Sequence, residues 1–285
     1  MAVFSFSKVH TIRLVSKTAI QQEIDAFLID RQARGLSKRT VAWYGEQLYP
    51  FAQHLASQGL TDVEAITPDL LRRYFVDLSQ THNEGGVHGR YRAIRAFLNW
   101  WTTETEPLNW RNPISKVSAP KVPERLLKPV NLDDLQAMLG TCQRRTFAGD
   151  RDKALLMFLL DTGCRRAEVC ALTLADVDLH DGSVLVRHGK GNKFRTVFVG
   201  SKTRRGLVAY LRHRTDLAPS APLWCYKDGR PLTFWGLLGI LRRRAKKAGV
   251  STPTPHSFRR GFALACLRNG VDIYALQRMM GHSDL

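Results

Sequence analysis

Four short stretches carry residue types able to act on a phosphodiester. They are Thr162-Gly163-Cys164-Arg165-Arg166-Ala167-Glu168, Gly189-Lys190-Gly191-Asn192-Lys193, His256-Ser257-Phe258-Arg259 and Met280-Gly281-His282. Guanidinium groups fork onto two non-bridging phosphate oxygens and stabilise the charge that develops in phosphoryl transfer. A lysine or an imidazole can give or take the proton of the entering or leaving oxygen. His256 and Arg259 are three residues apart and so share one face of a helix. Arg165 follows a glycine where a helix begins and can project from the helix mouth. Glu168, three residues on, can pair with and orient a basic neighbour. Singly, each stretch is weak: HxxR and RxxE pairs arise in many helices, and GKG is an ordinary hairpin turn. A carboxylate cluster for two-metal catalysis is missing, which disfavours a metal-dependent nuclease. No GxxxxGK[ST] loop is present, so nucleotide hydrolysis is not indicated.

The elements that must position these residues belong to a chain of 285 residues with a formal charge of +18. That length fits two domains. With 44% hydrophobic and 24% charged residues, the chain has ample material for a core. The charge is uneven. Residues 1–120 carry 14 Lys and Arg against 11 Asp and Glu, whereas residues 121–285 carry 29 against 14. A basic excess in one half points to a polyanionic partner, most often nucleic acid. Cys142, Cys164, Cys170, Cys225 and Cys266 are odd in number and include no CxxC pair, so buried free thiols in a reducing cytoplasm are expected. The longest purely apolar run, Ala154-Leu160, is far too short to span a bilayer, and Lys8, His10 and Arg13 break any signal-peptide pattern.

Residues 18–110 read as a helical bundle. Ile20, Ile24, Phe27 and Leu28 form one stripe. Val41, Tyr44, Leu48, Phe51 and Leu55 form a second behind an N-cap at Ser37, with Pro50 expected to kink or divide that helix. Thr67-Pro68 starts a third helix, with Leu71, Phe75 and Leu78 on its buried face. The fourth carries Tyr91, Ile94, Phe97, Leu98 and Trp101. Residues 111–130, with Pro113, Pro120, Pro123 and Pro129 among Lys116, Lys121 and Lys128, read as an extended tether whose lysines either follow a phosphate backbone or are solvated. The second domain, 131–285, begins with an N-cap at Asn131. It continues as helices over 132–139, 150–162 and 165–173. A β-hairpin, Ser183-Arg187 with Thr196-Val199, comes next, and its basic tip holds Lys190. Helices follow over 202–213, 233–248, 256–268 and 272–280. The expected class is mainly α with a small antiparallel sheet.

The four stretches in this order resemble the tyrosine recombinase, or phage integrase, family. Its members show a TG-L-R-x-x-E segment, a GKG-N/K hairpin, H-x-L/F-R and LGH; this chain has TGCRRAE, GKGNK, HSFR and MGH. Lys190 follows Arg165 by 25 residues, and the likeness covers nearly the whole chain. The resemblance implies a helical core-binding (SAM-like) domain, 18–110, after an N-terminal extension, 1–17, and an α+β catalytic domain. It implies that Arg165 and Arg259 bind the scissile phosphate and that Lys190 is the general acid for the leaving 5′ oxygen. It also implies that His256 and His282 assist proton transfer and that Glu168 supports them. Double-stranded DNA is the implied partner, with a homo-tetramer, strand exchange through a 3′-phosphotyrosyl intermediate, no cofactor, no metal, no small-molecule substrate and no membrane. The expected place is the cytoplasm, on the nucleoid. Lys38, Arg39 and Thr40, and Arg90, Arg92 and Arg95 near the start of the fourth helix, resemble DNA-facing positions; a solvated helix face is the alternative.

Three positions depart from the pattern. Cys164 replaces the family's leucine, and Arg166 and Arg260 fall where an apolar residue and a histidine are usual. The nucleophilic tyrosine is expected about nine residues after the LGH histidine, a group without which covalent catalysis has no first step. Tyr44, Tyr49, Tyr74, Tyr91, Tyr210, Tyr226 and Tyr274 all precede His282. Tyr274, in an amphipathic pattern, is expected to be a packing residue. The expectation is a chain truncated before its nucleophile, with a binding-only relative that occupies recombination sites as the rival reading. A type IB topoisomerase-like enzyme would need the same tyrosine.

Overall fold

The computed structural model describes residues 18–123, 127–187 and 194–281; Lys190 and His282 lie outside the described residues. The chain divides at about residue 125 into two compact units.

The first unit is a helical bundle of α1 (Ala19–Ala33), α2 (Lys38–Ser57), α3 (Pro68–Thr81) and α4 (Glu84–Thr105). Its helices start where polar side chains meet otherwise unpaired N–H groups. Thr18 accepts from Gln21 N, Ser37 from Thr40 N, Thr67 from Leu70 N and Asn83 from Gly86 N. The expected stripes fill the core, with Ile20, Ile24, Phe27, Leu48, Phe51, Leu55, Leu71, Ile94 and Phe97 buried. Pro50 does not divide α2, which runs unbroken through it. Pro50 and Glu46 are both exposed, so water can take the carbonyl that loses its partner.

The tether is shorter than expected. Pro113–Lys116 forms a 3-10 turn, and Ile114 and Val117 are buried in the bundle core. Arg72 Nη2 donates to Lys116 O at 2.9 Å, and Tyr91 Oη donates to Val117 O at 3.0 Å. At the other end, Val130 N donates to Ser257 O at 2.9 Å and docks on the second unit. Ile114 and Val117, after the first proline, are buried, whereas Val122 and Leu127, further along, are exposed.

The second unit opens with α5 (Leu132–Gly140), α6 (Phe147–Thr162) and α7 (Arg166–Ala171). The strands β1 (Ser183–Val186) and β2 (Arg195–Phe198) then pair antiparallel, with Val184 opposite Val197. The helices α8 (Ser201–Leu211), α9 (Phe234–Ala248), α10 (Pro255–Arg268) and α11 (Ile273–Met280) complete it. The core is built on α6, whose Ala154, Leu155, Leu156, Phe158 and Leu159 are buried with Trp224, Tyr210, Leu237, Leu241 and Phe258. The architecture is mainly helical with a small antiparallel sheet. The five cysteines are free; Cys142, Cys164 and Cys225 are buried, but Cys170 and Cys266 are only partly so. No helix among the described residues is long and apolar enough to cross a membrane.

Candidate active site

The site is assembled where three helix ends meet. Gly163 closes α6 in the left-handed region at φ 55°, where a Cβ would approach the Phe262 ring to 2.5 Å, so only glycine fits this turn. The turn delivers Arg165 as the N-cap of α7. Glu168, in the first turn of α7, reaches back and accepts from Arg165 N at 2.7 Å. Its other oxygen accepts from Arg165 Nη1 at 3.0 Å. The expected pairing of these two residues is thus made twice, through backbone and side chain.

From the opposite side, α10 presents His256 and Arg259. Arg259 is buried; its Nη1 donates to Gly163 O at 2.8 Å and its Nη2 donates to Met280 O. Arg165 Nη2 donates to Gly281 O at 2.8 Å. The two arginines named by the motifs therefore converge on adjacent carbonyls at the end of α11. Helix ends carry partial negative charge on such carbonyls, which suits them to cations. Arg165 keeps a quarter of its side chain exposed.

Sequence reasoning missed Arg195. It opens β2, and its Nε donates to Met279 O at 2.9 Å, the carbonyl before the two taken by Arg259 and Arg165. Its Nη1 and Nη2 fork onto Glu168 at 2.9 and 2.6 Å. The signal was available. Arg195 alternates with Val197 and Val199, both buried, and a charge on the buried face of a strand requires a partner.

The electrostatics follow from this crowding. Burial would raise the Glu168 carboxyl, but the hydrogen bonds from Arg195 and the Arg165 backbone outweigh it and hold the group below its usual range. Burial, and then the Arg165 charge, lower the Arg259 guanidinium to about 10. His256 is held below its ordinary value by burial first, and then by Arg166, Arg260, Arg259 and Arg165. Its imidazole is therefore neutral at neutral pH. Burial pushes the Cys164 thiol up, so it sits beside the arginines as a neutral apolar filler.

The remaining expected residues distribute unevenly. Arg166 stacks its guanidinium 3.9 Å over the Phe234 ring, and Arg260 Nε donates to Lys128 O at 3.1 Å. Lys38 and Arg39 are exposed at the start of α2, with Thr40 half-buried beside them; Arg92 and Arg95 are exposed, in the body of α4 rather than near its start. Arg90 is not DNA-facing: it is buried and its Nη1 donates to Gln47 O at 2.6 Å, tying α4 to α2. Tyr274 is not a packing residue, since it lies exposed in the first turn of α11. Arg242 and Arg243 face out while Arg244 is buried, as residues running round a helix must divide.

Residues 128–285 match the model described as "Phage integrase family". Over 274 residues the chain is 31% identical to the tyrosine recombinase XerD of Halalkalibacterium halodurans, spanning 93% of this chain and 91% of that protein. Over 264 residues it is 33% identical to the tyrosine recombinase XerC of Bacillus licheniformis, spanning 88% and 84%. Its fold is similar to that in a crystal structure of a lambda integrase tetramer bound to a Holliday junction. The TM-score there is 0.73 at 15% identity, over 98% of this chain and 79% of that one.

Proposed function

This chain belongs to the phage integrase family, and from that membership we propose a site-specific DNA recombinase that breaks and rejoins duplex DNA through a 3′-phosphotyrosyl intermediate. The observation that carries the reading is the convergence of Arg165 and Arg259 on the adjacent carbonyls of Gly281 and Met280, with His256 in their field.

The chemistry divides as follows. A scissile phosphate lies against Arg165 and Arg259, whose guanidinium groups neutralise its non-bridging oxygens as negative charge builds in the transition state. A tyrosine oxygen forms a bond to phosphorus while the bond to the 5′ oxygen breaks. Lys190 gives that leaving oxygen its proton. The 5′ hydroxyl of another strand then attacks the phosphotyrosine and releases the tyrosine, so the phosphodiester is conserved without a nucleotide cofactor. Neutral His256 and His282 hydrogen-bond the phosphate and handle the tyrosine's proton. A tyrosine after His282 on the same polypeptide, or one brought by a second subunit, would meet the same cradle.

Lys38, Arg39 and Thr40 at the start of α2, with Arg92 and Arg95 on α4, meet backbone phosphates, and a homo-tetramer assembles on the DNA. The tetrameric lambda integrase on a Holliday junction supports that assembly by likeness of fold. The protein acts in the cytoplasm, on the nucleoid, and takes no small-molecule substrate.

Covalent capture tests the reading. Duplexes that the full gene product selects from its own genome are labelled, incubated with it and denatured. Label should travel with the protein, and Arg259→Ala should cut that product by at least about 100-fold while leaving binding within a few-fold. Cleavage at an undiminished rate in Arg259→Ala would overturn the proposal. Tight binding with no covalent product from the unaltered protein would leave a DNA-binding relative that occupies recombination sites.

A further inference from the structure

We propose that Arg195 is a positioning residue that keeps Arg165 available to an anion, by occupying Glu168 and by fixing the end of α11. The inference deepens the recombinase reading and rests on it for the identity of the anion as a DNA phosphate.

The argument starts from a conflict. A carboxylate inside a phosphate site competes with phosphate for the same guanidinium, and Glu168 is almost wholly buried beside Arg165. Left to itself, Glu168 would draw Arg165 into a two-pronged pair, the arrangement that both groups prefer. Arg195 occupies that arrangement first. Its Nη1 and Nη2 take both Glu168 oxygens, and Arg165 is left with one side-chain contact to Oε1, at 3.0 Å.

A second contact serves the same end. Arg195 Nε holds Met279 O, so three arginines secure three successive carbonyls, Met279, Met280 and Gly281. Gly281 allows this approach, because a Cβ there would stand 3.1 Å from Arg195 Nη1 and 3.4 Å from Arg165 Nη1. Arg195 commits Nε to Met279 O and Nη1 and Nη2 to the two Glu168 oxygens, so it is placed to act through its neighbours. Lysine could not substitute fully, since a single ammonium cannot fork onto two oxygens and hold a carbonyl as well.

The test uses inorganic sulfate as the probe, so it requires neither DNA nor a nucleophile. Binding is followed through the His256 ring signals in folded protein, with thermal unfolding recorded separately. Arg195→Met should weaken sulfate by about 10-fold, the scale of one charge-assisted hydrogen bond. Adding Glu168→Gln should restore most of that loss, because the competing charge is gone. In Arg195→Ala, guanidinium at tens of millimolar should restore affinity where methylammonium at equal ionic strength does not. A residue that merely supported the fold would change the unfolding temperature and leave sulfate affinity per folded molecule unmoved. If Arg195→Met does not fold, Arg195→Lys replaces it, with a smaller loss that Glu168→Gln again cures.

Unchanged sulfate affinity in these variants, a loss that Glu168→Gln does not repair, or no sulfate binding by the unaltered protein would each overturn the proposal. Failure of the recombinase reading appears differently: Arg259→Ala would lose sulfate, and Arg195→Met with it, yet no DNA would become covalently attached to the unaltered protein.

Discussion

The second unit buries two carboxylates beside the ends of α6, and each is hydrogen-bonded by two arginines. Asp152, near the start of the helix, receives Arg151 Nε and Nη2 on one oxygen at 3.0 and 2.7 Å, and Arg244 Nε and Nη2 on the other at 2.9 and 2.8 Å. Glu168, just past the other end, receives Arg165 and Arg195. In both clusters the arginines also cap carbonyls: Cys225, Thr141 and Ala148 in the first, Met279 and Gly281 in the second. The difference lies in access. Asp152 is fully buried, and Arg151 and Arg244 are nearly so, whereas Arg165 opens to solvent and Arg259 adds a further positive charge beside it. One cluster spends its charge inside the fold. The other keeps a surplus at the surface, where an anion can use it.

Breaking the closed cluster should have the largest effect. Asp152→Ala leaves two buried guanidinium groups without their counter-charge, and removing one partner of such a group costs about 3–5 kcal/mol. Urea unfolding should register that loss. The folded fraction should still bind sulfate as the unaltered protein does, because the Asp152 contacts lie apart from the α11 end. A loss below about 1 kcal/mol would mean that the closed cluster is not structural in the sense argued.

The two clusters also differ in how well the sequence announces them. Arg165, Glu168, His256 and Arg259 stand out because each pair lies three residues apart on one element, and local spacing can be read. The helices are equally legible from their stripes and from caps such as Thr67-Pro68 and Asn131. Alternation with Val197 and Val199 marks Arg195 as needing a partner, but no local spacing names that partner, because Glu168 lies 27 residues earlier. Asp152 and Arg244 are 92 residues apart and meet only because α9 is close enough to α6 for a hydrogen bond. Arg90 misleads for the opposite reason: it resembles a DNA-facing residue by type, while its helical phase, one residue before the buried Tyr91, turns it inward. The prolines of the tether announce an extended, non-helical path, but nothing in their spacing announces that Ile114 and Val117 pack into the bundle core.

His256 sharpens the comparison because it senses the open cluster directly. Its protonation midpoint, followed by NMR, should fall below 6.5 in the free protein, with Arg166, Arg260, Arg259 and Arg165 the charges responsible after burial. An unfolded chain binds that proton more readily, so this residue costs stability as pH falls below 6.5, levelling once pH passes the depressed folded value. Sulfate should raise the midpoint by offsetting the arginines, and Arg166→Gln should raise it in the absence of any anion. A midpoint at or above 6.5 in the free protein would remove the surplus of charge on which the contrast rests.

The smallest effect comes from an ion pair with neither burial nor carbonyl partners. Arg73 Nε meets Asp69 Oδ2 at 2.8 Å along α3, a contact as short as those in the buried clusters, but the two side chains are 79% and 66% exposed. Distance alone would rank it with Asp152 and Arg244. Burial ranks it far below, because water already solvates both ions and salt screens what attraction is left. Arg73→Ala should therefore change stability by no more than about 0.5 kcal/mol, and alanine's helix propensity can offset even that. Urea unfolding of this variant at low and high salt is the check. A loss comparable to that of Asp152→Ala would show that short contact geometry, not exclusion from water, sets the worth of an arginine–carboxylate pair in this fold.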